Sequence, residues 1–263
     1  MDWSSVLVST LVGGVAGGLA GGLGHVLKLG KNGTVVLVTL ASLASGFGYR
    51  EYAKRSVSDF DRMMTAFAEE EPRTPMDRYL KYWALEARAS PEIRQWFEQT
   101  PQLTAAERQH ESMLKTRAGL TKLSDEDLVL RMRLLARMLG AAQQKDCASF
   151  GRGDLGEEGL GRLLGELDDE GLRAFGGVIT RAVVAELRQT PSRTFVEDDL
   201  SRGFSQLGAK LGEQDARKLA DYMLRVGTLS DEDACWTTRT LYQGGAELPA
   251  PYGAALAFAL ASN

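Results

Sequence analysis

Residues 12–49 read VGGVAGGLAGGLGHVLKLGKNGTVVLVTLASLASGFGY, and this stretch decides how the chain is organised. From Trp3 to Leu27 there are 25 residues without a formally charged side chain when His25 is neutral, and from Asn32 to Tyr49 another 18. A helix needs about 20 such residues to cross roughly 30 Å of hydrocarbon. Only Lys28-Leu29-Gly30-Lys31 separates the two runs, so they predict an antiparallel transmembrane hairpin with spans at about 4–27 and 33–50.

Each glycine inside a water-soluble helix costs roughly 1 kcal/mol relative to alanine, so this many require another reason. Their spacing supplies it. Gly13, Gly17 and Gly21 form one ridge and Gly14, Gly18 and Gly22 its neighbour. Repeats of small residues at every fourth position bring helix backbones together in lipid. The second run answers with Ala41 and Ser45, Ser42 and Gly46, and Ala44 and Gly48. Trp3, Tyr49 and Tyr52 stand near the ends of the runs, where interfacial rings sit. The pattern resembles the glycine-zipper hairpins of bacterial envelope proteins. That resemblance covers about a fifth of the chain and implies an architecture rather than an activity.

Rival readings of the stretch fit less well. A secretory signal requires a basic region before its apolar core, yet only Met1 and Asp2 precede Trp3. A phosphate-binding P-loop requires four residues between its glycines and a Ser or Thr after its Lys; Gly24 to Gly30 encloses five, and Asn32 follows Lys31. A glycine-rich hairpin buried in a soluble core is the remaining alternative. For orientation, Lys28 and Lys31 lie in the turn, whereas Arg50, Lys54, Arg55 and Arg62 follow the second run. The simple count favours a cytoplasmic domain; the acid-free turn and the nearly uncharged amino-terminal tail favour an exported one. We expect a bacterial-type inner-membrane protein with its soluble domain in the periplasm, the cytoplasm being the alternative.

Residues 1–55 thus form the membrane hairpin, and 56–263 are expected to form an all-helical soluble domain, making the whole chain all-α. Within 56–263, 26 basic residues face 33 acidic ones, which argues against nucleic acid as a partner. Apolar residues recur at three and four rather than two. Helix starts are legible at Thr74 before Pro75, at Thr104 with Glu107 as a capping box, and at Ser124 and Ser230 before acidic first turns. Gly119, Gly151, Gly227 and Gly244-Gly245 read as stops, and about nine helices are expected. The segment 151–156 reads as a joint between two helical halves. The terminal run APYGAALAFALAS is too short for a third span and reads as a packed helix.

The clearest apolar stripe joins Leu128, Leu130, Leu134, Leu135, Met138 and Leu139, with Arg131, Arg133 and Arg137 expected to flank it in solvent. Two aromatic clusters, Tyr79-Tyr82-Trp83 and Trp96-Phe97, read first as packing and second as an aromatic ligand groove. The pentapeptide Leu-Ser-Asp-Glu-Asp occurs at 123–127 and again at 229–233, a good helix start in both places. Its acids lack the alternation and central glycine of an EF-hand, so no metal is expected.

Signs of catalysis are weak. Gly151 to Gly156 match GxGxxG, but no apolar strand feeds them. The two histidines are His25, in the first apolar run, and His110, in a polar helix, and no HExxH or GxSxG occurs. Neither an enzyme nor a cofactor is expected. Cys147 and Cys235 are either two buried thiols or one bridge closing an 88-residue separation. The reading that remains is a membrane-anchored helical interaction or scaffold protein, with a protein partner or its own copies as ligand. The alternative is an oligomerising hairpin that forms a pore.

Overall fold

The computed structural model describes residues 60–194 and 196–262, and among these the chain is all-α. Twelve helices follow one another: α1 Phe60–Glu69, α2 Pro75–Arg88, α3 Pro91–Gln99, α4 Ala105–Leu120, α5 Asp125–Ala141, α6 Gln144–Arg152, α7 Glu157–Gly165, α8 Asp169–Leu187, α9 Glu197–Leu211, α10 Glu213–Met223, α11 Asp231–Ala246 and α12 Tyr252–Ala261. A 3-10 turn at Val226–Thr228 precedes α11. None of the described helices is long and apolar enough to cross a membrane. The expected hairpin, with Gly13, Gly14, Gly17, Gly18, Gly21, Gly22, Ala41, Ser45 and Gly48, lies outside the described residues.

Short polar side chains set most helix starts by accepting the N–H groups that the first turn leaves without partners. Thr74 accepts from the Asp77 amide while Asp77 accepts from that of Thr74, and Thr104 and Glu107 repeat this reciprocal box. Ser124 accepts from the Asp127 amide, and Ser230 likewise from that of Asp233, so both copies of the pentapeptide begin a helix. Asp168 caps α8 through the Gly171 amide. At the other end of a helix, Gly153 adopts φ 80° and donates to the Phe150 carbonyl while Asp154 donates to Ser149, closing α6 in the manner of a Schellman stop. The middle glycine of the GxGxxG match is therefore a helix terminator.

The helices divide into two compact units, each assembled from two separate stretches of chain. One holds residues 60–123 and 167–193, the other residues 124–166 and 194–262. Residues 151–156 fall inside the second of these.

In the first unit α8 is the central element and packs on α2, α3 and α4. Its approach to α4 is a backbone contact: a Cβ on Gly119 would lie 1.8 Å from the Ala182 carbonyl oxygen. Gly176 likewise lets α8 rest on the backbone of Trp83. Tyr79 and Phe175, both fully buried, meet between them with ring centroids 6.0 Å apart. Ion pairs Lys122–Glu186 at 2.7 Å and Arg188–Glu92 at 2.5 Å fasten the periphery of this unit.

In the second unit α11 is central and packs on α5, α6, α9, α10 and α12. Gly245 sits against Leu256 and Met132, and a Cβ on Gly151 would meet the Thr238 hydroxyl at 1.9 Å. The glycines at 119, 151, 244 and 245 thus lie within helices, where they permit close crossing, and they do not serve as the stops that sequence suggests. Arg239 reaches back to the carbonyls of Leu139 and Ala142 at 2.8 and 2.6 Å, satisfying the carboxyl end of α5. The stripe on α5 is broader than expected. Leu134, Ala136, Met138 and Leu139 are all buried, and so is Arg131 at 4% exposure, whereas Arg133 and Arg137 are exposed. A helix enclosed on most of its circumference carries one of its arginines inward. Burial holds the Arg131 guanidinium below the usual arginine range, offset in part by the Tyr242 phenol.

Candidate functional site

Two features stand out among the chemistry-bearing side chains. One is an aromatic pocket in the unit of residues 60–123 and 167–193; the other is a covalent joint in the unit of residues 124–166 and 194–262.

The pocket is built from α1, α2, α3, α4 and α8. Phe60, Met64, Trp83, Ile93, Phe97 and Val183 form its buried floor, while Met63, Trp96 and Arg108 stay half-exposed at its mouth. Its volume is about 30 Å³. An engineered cavity of about 150 Å³ admits benzene, so this one takes the tip of an aliphatic group and no more. The two aromatic clusters picked out in the sequence meet here: Trp83 comes from one, and Trp96 and Phe97 from the other. Phe60 and Phe97 pack at 5.4 Å between ring centroids. Sequence does not reveal that Phe60, Met64, Arg108, Ser112 and Val183 join the lining, because these residues are up to 123 positions apart.

Three cations stack on rings of this lining. The Arg108 guanidinium lies 3.9 Å from the Phe97 centroid, that of Arg94 5.6 Å from Phe60, and the Lys115 ammonium 5.9 Å from Trp96. Arg108 also donates to the carbonyls of Thr100 and Leu103, finishing α3. Asp61 pairs with Arg94, and Glu111 with Lys115. Beside these groups, the Trp83 indole N–H, the Tyr79 hydroxyl and the Thr180 hydroxyl are buried with no hydrogen-bond partner among the described residues. Burial pushes the Tyr79 phenol well above its ordinary range, so it stays protonated. Each such unmet polar group costs roughly 1–3 kcal/mol. Of the three, Trp83 lines the pocket.

In the other unit Cys147 on α6 and Cys235 on α11 are bonded, with Cα atoms 5.0 Å apart. Both are buried, at 0% and 2% exposure. Around the bond, Phe150 meets Tyr242 edge-on at 5.6 Å, and Arg152 donates to Asp231 at 2.7 Å and to the Leu229 carbonyl at 2.8 Å. Asp146, adjacent to Cys147, accepts two bonds from Arg162 at 2.6 and 2.8 Å, which hold its carboxyl below the usual range. This is a rigid joint between helices. It presents no exposed thiol.

Among the described residues, His110 and the 151–156 segment are not brought together with a catalytic set, and His25 lies outside them. His110 is exposed on α4, and the neighbouring acids Glu157, Glu158, Asp168 and Asp169 belong to the starts of α7 and α8. Among the described residues no group of three or more His, Cys, Asp or Glu side chains is placed to hold a metal ion. A search of family models, of curated proteins and of solved structures finds no match to this chain.

Proposed function

We propose that the chain is an interaction or scaffold protein, anchored by its amino-terminal hairpin in a bacterial-type inner membrane, with the helical units on the oxidising, periplasmic face. The observation that carries the interaction reading is the aromatic pocket: a small, mainly apolar recess with a half-exposed Met, Trp and Arg at its mouth and, among the described residues, no Asp, Glu, His or Cys in its lining. Met and Trp at a rim adapt to and anchor partner side chains. Support for the anchor comes from the uncharged runs of 25 and 18 residues and their small-residue ridges. Support for the periplasmic side comes from the bonded cysteines, since reducing compartments keep such pairs as thiols.

A photo-crosslinking amino acid at Met63 tests the interaction reading in intact cells. A discrete adduct at Met63, lost when the same group is moved to exposed Glu213, is the expected result; no adduct at either position refutes it. Side is tested separately with a membrane-impermeant mass-tagged maleimide on outer-membrane-permeabilised but otherwise intact cells. Labelling of these cells only after reduction supports export, and labelling only after lysis places the domain in the cytoplasm. The pore alternative predicts that the purified chain releases dye from liposomes, where a scaffold leaves them sealed.

A further inference from the structure

We infer that Arg131 and Tyr242 form a binding site for one small organic carboxylate where α5 packs on α11. The site lies in the unit of residues 124–166 and 194–262 and is independent of the aromatic pocket. Two charged side chains are buried among the described residues, Asp146 and Arg131, each at 4% exposure. Asp146 accepts two bonds from Arg162. Arg131 has no counterpart of this kind: on α5 it shares a face with the buried Leu128 and Leu135, and its Nε is sealed from water without an acceptor. Its terminal nitrogens also bond to nothing among the described residues, but they are not sealed. A guanidinium keeps its proton at neutral pH, and a buried charge without a counter-ion is among the costliest defects a core can hold. An entering anion removes that defect.

Tyr242 supplies the second donor. Among the described residues its phenol is the ionisable group whose field reaches Arg131. Tyr242 is itself 4% exposed, and its ring is held edge-on to Phe150 at 5.6 Å. Burial raises the phenol above its ordinary range, so the O–H persists and can donate. A guanidinium fork with a phenolic donor near it suits a carboxylate, whose two coplanar oxygens take the fork side by side. Access sets the size of the ligand: with so little of either residue exposed, only a short acid reaches both. Surface charge sets its class. Residues 124–166 and 194–262 carry 12 Lys or Arg against 18 Asp or Glu, a balance that repels polyanions at long range and leaves a monoanion held by short contacts.

The probe is sodium acetate, titrated at neutral pH into the full-length chain in detergent micelles, with sodium chloride of equal ionic strength as the baseline. Thermal unfolding followed by circular dichroism reads the stabilisation linked to binding, and the line width of isotope-labelled acetate reads binding directly. The expected result is a saturable rise in Tm with a broadened acetate line. Benzoate, too bulky for so narrow an approach, and phosphate, larger and more costly to desolvate, are expected to act more weakly than acetate. Arg131→Met removes the charge at similar volume; it is expected to abolish the acetate response while unfolding no lower than the parent in chloride, whereas loss of a merely structural arginine would lower Tm in both salts. Tyr242→Phe is expected to weaken acetate about tenfold, the value of one hydrogen bond to a charged group, and it keeps the test open if Arg131→Met does not fold. An acetate line as sharp as in micelles without the chain overturns the inference, as does an acetate response that survives in Arg131→Met or is unchanged in Tyr242→Phe. Tighter binding of phosphate or benzoate than of acetate overturns the choice of ligand.

Discussion

Gly119→Ala is expected to destabilise the protein even though it improves α4 as an isolated helix. The propensity gain is roughly 1 kcal/mol. Against it stands the position of the new methyl, 1.8 Å from the Ala182 carbonyl oxygen and 2.4 Å from its carbon, where ordinary contact begins near 3.4 Å. The obstacle is backbone, so no rotamer change relieves it. Instead α4 and α8 must separate by more than an ångström, loosening the fully buried Thr116 and Ala182 and the nearly buried Leu120 and Val183. Overpacking costs roughly 1–3 kcal/mol, and a rigid obstacle belongs at the upper end, which leaves a net loss of about 1–2 kcal/mol after the propensity gain. Gly161 supplies the control. It lies within α7, and a Cβ added there would meet nothing within 4 Å, so Gly161→Ala is expected to stabilise by roughly 0.4–1 kcal/mol. Urea unfolding of the full-length chain, followed by far-ultraviolet circular dichroism, compares the two midpoints at constant slope. If both substitutions raise the midpoint, the backbone contact between α4 and α8 does not exist.

Replacing Cys147 and Cys235 together by alanine is expected to cost about 4–5 kcal/mol for an 88-residue separation on the chain-entropy account, read from the same urea midpoints; a loss under about 1 kcal/mol contradicts that account. Arg162→Met leaves the Asp146 carboxylate buried without its partner and is expected to cost about 1–2 kcal/mol at neutral pH, a figure reduced because Arg162 is half-exposed. The Asp146 carboxyl is depressed in the folded state, so its contribution is complete above the unfolded value near 3.8 and disappears as pH falls through the lower folded value. The variant should therefore lose the stability increment across that acid window, and an unchanged profile of stability against pH refutes the role given to Arg162. Gly17→Leu with Gly18→Leu is expected to disrupt hairpin packing or assembly, and unchanged crosslinking and oligomeric state would remove the ridge argument.

Helix starts are readable in the sequence because a cap is a local device: Thr74, Thr104, Ser124 and Ser230 bond to amides three residues away, and nothing distant intervenes. Ends are harder. Glycine marks a stop when the chain needs a positive φ, as at Gly153, and marks a crossing when another helix presses on it, as at Gly119 and Gly151; one residue type serves both purposes. Among the described residues twelve helices stand where periodicity suggests about nine, largely because short elements such as α3 and α7, of nine residues each, have no full amphipathic period to announce them. Arg131 is buried against expectation because a stripe argument assumes one buried face, whereas α5 is enclosed on several. Of the pocket, the aromatic content is visible in the sequence and the convergence is not. Trp83 and Trp96 reach one recess only because α8, which follows some 70 residues later, supplies the wall behind them.

The divided make-up of the unit formed by residues 60–123 and 167–193 has a consequence for biosynthesis. A ribosome delivers α1 to α4 first, then all of α5, α6 and α7, and only afterwards α8. At roughly 5–20 residues per second, the partners of α8 wait for several seconds. During that interval the surfaces of Tyr79, Trp83 and Gly119 that α8 will cover remain uncovered on a nascent chain. A chain truncated after residue 166 likewise contains neither unit complete. Such a polypeptide cannot complete either unit piecemeal from its amino-terminal side: each closes only once its second segment has emerged.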